Sequence, residues 1–214
     1  MTKLILGIVK ETKTPPDKRV PLIPSQCVEV MKRFPNVEVI VEKSDIRSYK
    51  DEEYAALGIR MVDKATEADI LMGVKEVKID YLIPNKKYFF FSHTFKKQPY
   101  NRKLLQAVLE KKIQLIDYET LTDKNKHRII GFGRYAGIVG CYNGFLAYGK
   151  KHNLYTLKPA NLCADKKEME SELSKIKLPI DMKIVMTGSG RVGGGAQEIL
   201  DLVGIKQVSP ESFL

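Results

Sequence analysis

Four polar stretches of this sequence hold side chains suited to moving protons or gripping carboxylates. They are the loop Lys10–Arg19, the pair Lys75-Glu76, the run Ser92-His93-Thr94-Phe95-Lys96 and the pair Tyr118-Glu119. Each follows an apolar run with strand character. A lysine placed directly after a buried strand loses hydration, which lowers its pKa and makes it a usable base at moderate pH. A histidine is the side chain whose ordinary pKa suits proton transfer near neutrality, and arginine grips a carboxylate through paired N–H donors. The set therefore fits a substrate bearing carboxylates and a reaction with a proton-transfer step. Each residue also has a plain alternative. Arg19 can be a solvated loop arginine, Lys75 can carry its head into water, and His93 can be a hydrogen-bonded structural histidine. Glu76 and Glu119 can tune neighbouring charges or form simple ion pairs, and His127 and His152 lie in polar, lysine-rich surface segments.

A fifth stretch, Lys183–Ala196, points to a phosphate ligand. The apolar run Ile184-Val185-Met186 leads into Gly188-Ser189-Gly190-Arg191-Val192-Gly193, and Ala196–Leu200 has helical composition. Strand, G-x-G-x-x-G and helix in that order form a dinucleotide-binding turn, in which glycines let backbone approach a pyrophosphate at a helix N-terminus. From Lys183 to Leu214 there is room for one βαβ unit, with a second strand near Gly204–Val208. A dinucleotide domain takes two such halves. The expectation is a chain that stops soon after its cofactor domain begins, with negligible dehydrogenase activity by itself. Glu211, near the end of the second strand, is placed either to hold a ribose or to sit solvated in a polar loop.

The elements that must position these groups alternate strand and helix. The spacing predicts strands over Leu4–Val9, Val37–Val41, Asp69–Val74, Tyr88–Phe91 and Ile113–Asp117. Between them it predicts a helix over Val28–Arg33 capped by Ser25, a short helix over Asp51–Leu57 closed by Gly58, and a helix over Asn101–Lys111. That pattern implies an α/β fold with a mainly parallel, Rossmann-like sheet. In such sheets ligands bind beyond the carboxyl ends of the strands, where the polar stretches lie. Gly137–Lys151 then reads as a long connector helix and Asp165–Lys175 as a charged amphipathic one.

Composition narrows the function classes. The chain has 214 residues, 43% of them hydrophobic and 29% charged, as in a soluble globular protein. No apolar run approaches the ~18 residues of a membrane-spanning helix, and the N-terminus lacks the apolar core of a signal peptide. Cys27, Cys141 and Cys163 are scattered without metal-ligand spacing and read as reduced thiols, which suits a cytoplasmic setting. The net charge of +10 is spread among alternating acids, with no basic tract or nucleic-acid motif. A lysine-rich surface or an anionic substrate accounts for it, and neither nucleic acid nor membrane is expected as a partner. Monomer and homo-oligomer both remain open.

Gly7-Ile8-Val9-Lys10-Glu11-Thr12-Lys13 followed by Arg19-Val20-Pro21-Leu22-Ile23-Pro24 resembles the opening of the alanine dehydrogenase, transhydrogenase and saccharopine dehydrogenase superfamily. Four later stretches resemble the lysine-forming saccharopine dehydrogenases in particular: Gly73–Glu76, Phe91–Lys96, Asp117–Leu121 and Arg128–Gly137, as does the glycine turn Gly188–Ala196. Gly133-Arg134-Tyr135 stands where alanine dehydrogenases usually carry methionine-serine-glutamate. The stretch after Val208 departs from the pattern, and Arg191 and Val192 match it only in part.

The resemblance implies an N-terminal substrate domain over residues 1–136, a connector helix and spacer over 137–180, and the start of a dinucleotide-binding domain over 181–214. It implies NAD, or NADP, as cofactor. The implied reaction is oxidative cleavage of a secondary amine to an amino acid and a 2-oxo acid. Lys75 and His93 match the catalytic pair of that family, and Arg19, Lys96 and Arg128 match positions that hold substrate carboxylates. Glu76 and Glu119 match charge-tuning acids, and residues 188–193 match the cofactor turn. Alanine dehydrogenase or a transhydrogenase-like subunit is the alternative within the class, and a non-catalytic binding protein is the alternative outside it.

Overall fold

The computed structural model describes residues 3–213, which divide into two compact units at Ile130 and Gly131. The first unit is built on six parallel strands: β1 (Leu4–Ile8), β2 (Val37–Glu42), β3 (Arg60–Val62), β4 (Ile70–Met72), β5 (Lys87–Phe90) and β6 (Gln114–Asp117). Their order across the sheet is β3-β2-β1-β4-β5-β6, the doubly wound order of dinucleotide folds. Three helices accompany them: α1 (Pro24–Arg33), α2 (Asp51–Ala56) and α3 (Arg102–Glu110).

Alternation along β2 shows why both faces are covered. Val39 and Val41 are buried in a cluster with Ile8, Cys27, Tyr54 and Ile59. Ile40, between them, is buried with Leu71, Tyr88, Phe90, Leu104 and Val108. Successive strand side chains point to opposite faces, so a Val-Ile-Val run feeds two cores at once, as a parallel sheet between helices requires. A buried arginine ties loop to strand on one side: Arg47 donates to the carbonyls of Glu42 (2.8 Å) and Tyr49 (3.0 Å), pairs with Asp51, and lies over the Tyr54 ring.

Local departures from the predicted elements have local causes. Helix α1 begins at Pro24, with Ile23 at the N-cap, so Ser25 falls inside the first turn and does not cap it. Proline lacks an N–H and has its φ preset, which favours the first helical position. Gln26 Oε1 accepts from the Ile23 N–H at 3.1 Å in place of the serine. Strand β3 is only Arg-Met-Val, too short to announce itself by periodicity.

The second unit is largely helical: α4 (Gly133–His152), α5 (Lys166–Glu172), α6 (Arg191–Val203) and α7 (Pro210–Phe213). Ile138, Tyr142, Phe145, Met169, Ile199 and Leu200 form its core. Helix α4 starts earlier than its apolar face suggests because Arg134 holds its first turn to Glu198 of α6 through two hydrogen bonds (2.6 and 2.7 Å). The strands expected at Ile184–Met186 and Gly204–Val208 join no ladder among the described residues. Two short parallel segments are marginal without further strands beside them, and Val185 is 70% exposed. Glu211 accordingly lies on the exposed α7 and not at a strand end. Among the described residues no helix is long and apolar enough to cross a membrane, and no group of three His, Cys, Asp or Glu side chains is placed to hold a metal.

Candidate active site

In this strand order the sheet's direction of growth reverses between β1 and β4. The loops leaving those two strands must part to opposite faces, which opens a crevice at their carboxyl ends. The Val9 N–H still donates to the Met72 carbonyl at 2.9 Å; beyond that point a side chain takes over. Glu11, on the loop after β1, accepts the Val74 N–H on Oε1 (2.6 Å) and the Lys75 N–H on Oε2 (2.9 Å).

Lys75 is thereby set over the crevice, with its Nζ 3.5 Å from His93 Nε2. His93 Nδ1 lies 2.6 Å from Glu76 Oε1, and Lys13 Nζ donates to Glu76 Oε2 at 2.9 Å. The result is a continuous row, Lys75–His93–Glu76–Lys13, drawn from the loops after β1, β4 and β5. A carboxylate facing Nδ1 assigns the ring proton to that nitrogen, leaving Nε2 as an acceptor turned toward Lys75. His93 sits in the left-handed region at φ 52°, which a non-glycine residue adopts only when its surroundings hold it there. Those surroundings are a buried network. The Thr94 N–H donates to Ser92 Oγ (3.1 Å), Ser92 Oγ donates to Asp117, and Asn101 Nδ2 donates to the Ser92 carbonyl (2.8 Å).

The electrostatics suit a base. Partial burial pushes the Lys75 ammonium below its ordinary pKa, and the cations Arg19 and Lys13 push in the same direction. Burial opposes ionisation of Glu76, but hydrogen bonds from Lys13, its own backbone and His93 together outweigh it and hold the carboxyl low. Asp17 is held low by its hydrogen bonds from Arg19. Glu11 is raised by burial despite its two N–H donors.

The remaining expected residues are placed as follows. Arg19 donates through Nε to Asp17 at 2.9 Å and adds its field to Lys75. Glu119 is 9% exposed and pairs with Arg128 at 3.3 Å. Its Oε2 and the Tyr118 hydroxyl are buried without a hydrogen-bond partner among the described residues. Lys96 is exposed on the loop after β5, and among the described residues no hydrogen bond or ion pair joins it to the row. Glu11, Lys13, Asp17, Ser92, Asn101 and Asp117 support the site although their types and spacing did not single them out. The signal for Glu11 and Asp117 is that each stands at the carboxyl end of a strand, where a carboxylate can take the N–H groups of a diverging neighbour.

In the second unit, the glycine turn leads into α6 as its spacing suggests, without the expected strand before it among the described residues. Gly188 has φ 91°, which L side chains rarely adopt, and Gly190 is the N-cap of α6. A Cβ on Gly190 would meet nothing within 4 Å, so the backbone there is open to a ligand. Ser189, Arg191 and Val192 carry the turn into the helix. Gly193 folds back under it, where a Cβ would lie 2.1 Å from the Gly188 carbonyl oxygen. Open backbone at a helix N-terminus fits a dinucleotide phosphate.

A doubly wound sheet with a lysine–histidine–carboxylate row at its switch point, followed by a glycine turn on a helix, is the build of an α/β oxidoreductase. Residues 7–139 match the family described as alanine dehydrogenase/PNT, N-terminal domain, and the chain belongs to that family. It is 29% identical over 232 residues to alpha-aminoadipic semialdehyde synthase of Arabidopsis thaliana, covering 98% of this chain and 22% of that protein. It is 28% identical over 187 residues to the Yarrowia lipolytica saccharopine dehydrogenase (NAD(+), L-lysine-forming), covering 79% of this chain and 50% of that one. The chain thus spans half or less of these relatives' length, and they support the saccharopine branch of the superfamily. An L-alanine dehydrogenase structure shares the fold at a TM-score of 0.67, with 20% identity over 94% of this chain and 53% of that one.

Proposed function

We propose that this chain handles the substrate in an NAD-dependent oxidoreductase of the saccharopine type, which cleaves a secondary amine to an amino acid and a 2-oxo acid. The observation that carries the reading is the row Lys75–His93–Glu76 over the switch point of the sheet. Lys75, whose ammonium is disfavoured by partial burial and by Arg19 and Lys13, takes the proton from the substrate nitrogen. A bound dinucleotide would supply the hydride acceptor: loss of a hydride from the adjacent carbon, together with the proton from nitrogen, would leave a carbon–nitrogen double bond. His93 accepts on Nε2 a proton from the water that adds to that carbon. It returns that proton to the nitrogen, then takes the adduct's hydroxyl proton as the carbon–nitrogen bond breaks and the carbonyl forms. Glu76 balances the charge that forms on the imidazole. Arg19, Lys96 and Arg128 hold the substrate carboxylates, with Glu119 orienting Arg128. Residues 188–193 receive the dinucleotide phosphates.

The test uses the complete gene product. NADH oxidation is followed with 2-oxoglutarate plus lysine, beside pyruvate plus ammonia, in wild type and in Lys75→Met and His93→Gln. Turnover that needs lysine and falls about 10²–10⁴-fold in each variant is the expected result. Turnover only with pyruvate would assign the protein to alanine dehydrogenase chemistry. Absence of turnover with either pair would leave the fold serving a non-catalytic role.

A further inference from the structure

We propose that Glu11 is a positioning residue for Lys75, the acceptor that fixes the backbone from which the lysine reaches His93. This inference deepens the reading above and rests on it for the catalytic consequence. Its geometry stands independently.

The chemistry of the contact requires a carboxylate. Both partners, the N–H groups of Val74 and Lys75, are donors, and they are consecutive. An ionised carboxyl is acceptor-only on both oxygens. A glutamine of the same shape would satisfy one N–H and press its NH₂ against the other. No ladder bond can replace the contact, because β1 and β4 have ended and their loops are parting.

Gly73 provides the space. A Cβ there would lie 3.3 Å from Glu11 Oε1 and 3.0 Å from Val9 Cγ2, so a side chain at Gly73 would press on the carboxylate and shift it by a few tenths of an ångström against Val74. The three residues Gly73, Val74 and Lys75 thus form a seat for Glu11 on one edge of the crevice.

The consequence for Lys75 follows from distance. Its Nζ is 3.5 Å from His93 Nε2, at the outer limit of a hydrogen bond. A backbone tilt that moves Nζ by 1 Å breaks the contact, and misplacement on that scale costs on the order of 10²-fold in rate. Lys75 faces Arg19, Lys13, Asp17, Glu76 and His93. Displacement toward solvent relieves its burial and its repulsion from Arg19 and Lys13, so the amine then holds its proton to higher pH.

Two measurements separate this role from general stabilisation. The first is competitive acetylation of lysines against pH, read peptide by peptide by mass spectrometry on the 214-residue chain. It needs no substrate. In wild type Lys75 titrates below the exposed lysines; in Glu11→Gln and in Gly73→Ala its titration moves up toward theirs. Glu67→Gln, which removes an exposed carboxylate paired with Arg60, leaves it in place. The second is turnover of the complete gene product, with kcat expected to fall about 10²-fold in both variants while KM changes little. An unmoved Lys75 titration with unchanged kcat in a folded Glu11→Gln overturns the proposal. Should that variant not fold, Gly73→Ala decides by the same criteria. A wild type without turnover whose Lys75 titration still depends on Glu11 refutes the proposed reaction and leaves the positioning intact.

Discussion

Substituting Gly137 by alanine should loosen the second unit, and alanine at two other glycines of the same helix should do the reverse. A Cβ on Gly137 would stand 1.9 Å from the Val192 carbonyl oxygen and 2.8 Å from the Ala196 nitrogen, both backbone atoms of α6. Ordinary contact begins near 3.4 Å, so the helices must part by roughly 1.5 Å at this crossing, because neither obstacle is a side chain that can swing away. Overpacking of this kind costs about 1–3 kcal/mol, and the rigid obstacle argues for the upper end. In a unit of this size each kcal/mol moves Tm by about 4–8 °C, which gives a fall of about 12 °C or more. Gly140 and Gly144 have nothing within 4 Å of an added Cβ. Alanine there removes the helix-interior glycine penalty and should stabilise by about 1 kcal/mol each. Thermal unfolding, with hydrogen exchange of α4 and α6 peptides to locate the change, reads all three variants. Parting the helices at Val192 also displaces the glycine turn, so NAD titration should weaken in Gly137→Ala alone. If Gly137→Ala is neutral, or shares the sign of the other two, the close crossing does not carry the stability assigned to it.

Lys13→Met removes a cation that disfavours the Lys75 ammonium and leaves Glu76 less neutralised, and both changes raise the Lys75 pKa. A base must be unprotonated, so the ascending limb of kcat/KM against pH should move to higher pH in this variant; movement to lower pH would contradict the assignment. Arg47→Met removes the side-chain donor to the carbonyls of Glu42 and Tyr49 and leaves Asp51 with only the Ser44 N–H. Arg47 is buried and Asp51 partly exposed, so the loss should reach at most the about 3–5 kcal/mol of a broken buried pair, measurable by urea unfolding of the first unit.

The sequence was most legible where one residue's neighbours are its chain neighbours. Val37–Val41 announces a buried strand, Leu104 and Val108 an amphipathic helix, and Gly188–Gly193 a glycine turn into a helix. Lys75, Glu76 and His93 were legible too, because each directly follows such a strand and the strands of a parallel sheet end on the same side. What could not be read is which loops end up adjacent. The row Lys75–His93–Glu76–Lys13 draws on three points of the chain, and its order depends on β4 lying between β1 and β5. Glu11 looked like one acid in a polar loop, since its partners lie 63 and 64 residues away. The strands at Ile184–Met186 and Gly204–Val208 failed for the complementary reason. Their composition is that of strands, but a strand is a relation between segments, and no ladder forms beside them among the described residues.

Two carboxylates, Glu11 just beyond β1 and the buried Asp117 at the end of β6, give the site a common logic. Glu11 joins the loop after β1 to the loop after β4, and Asp117 joins the loop after β6 to the loop after β5. Asp117 does so by accepting the Glu119 N–H at 2.8 Å on one oxygen and the Ser92 hydroxyl on the other. In a parallel sheet the backbone bonds stop where the loops diverge, so each site loop would otherwise leave its strand with unpaired N–H groups and freedom to drift. A carboxylate restores the missing bonds and crosses the gap with its side chain. Lys75 is fixed by the first of these stitches and the left-handed His93 by the second. The 3.5 Å between them is therefore set by two acids neither of which lies in it, and Lys75 and His93 are both held from behind.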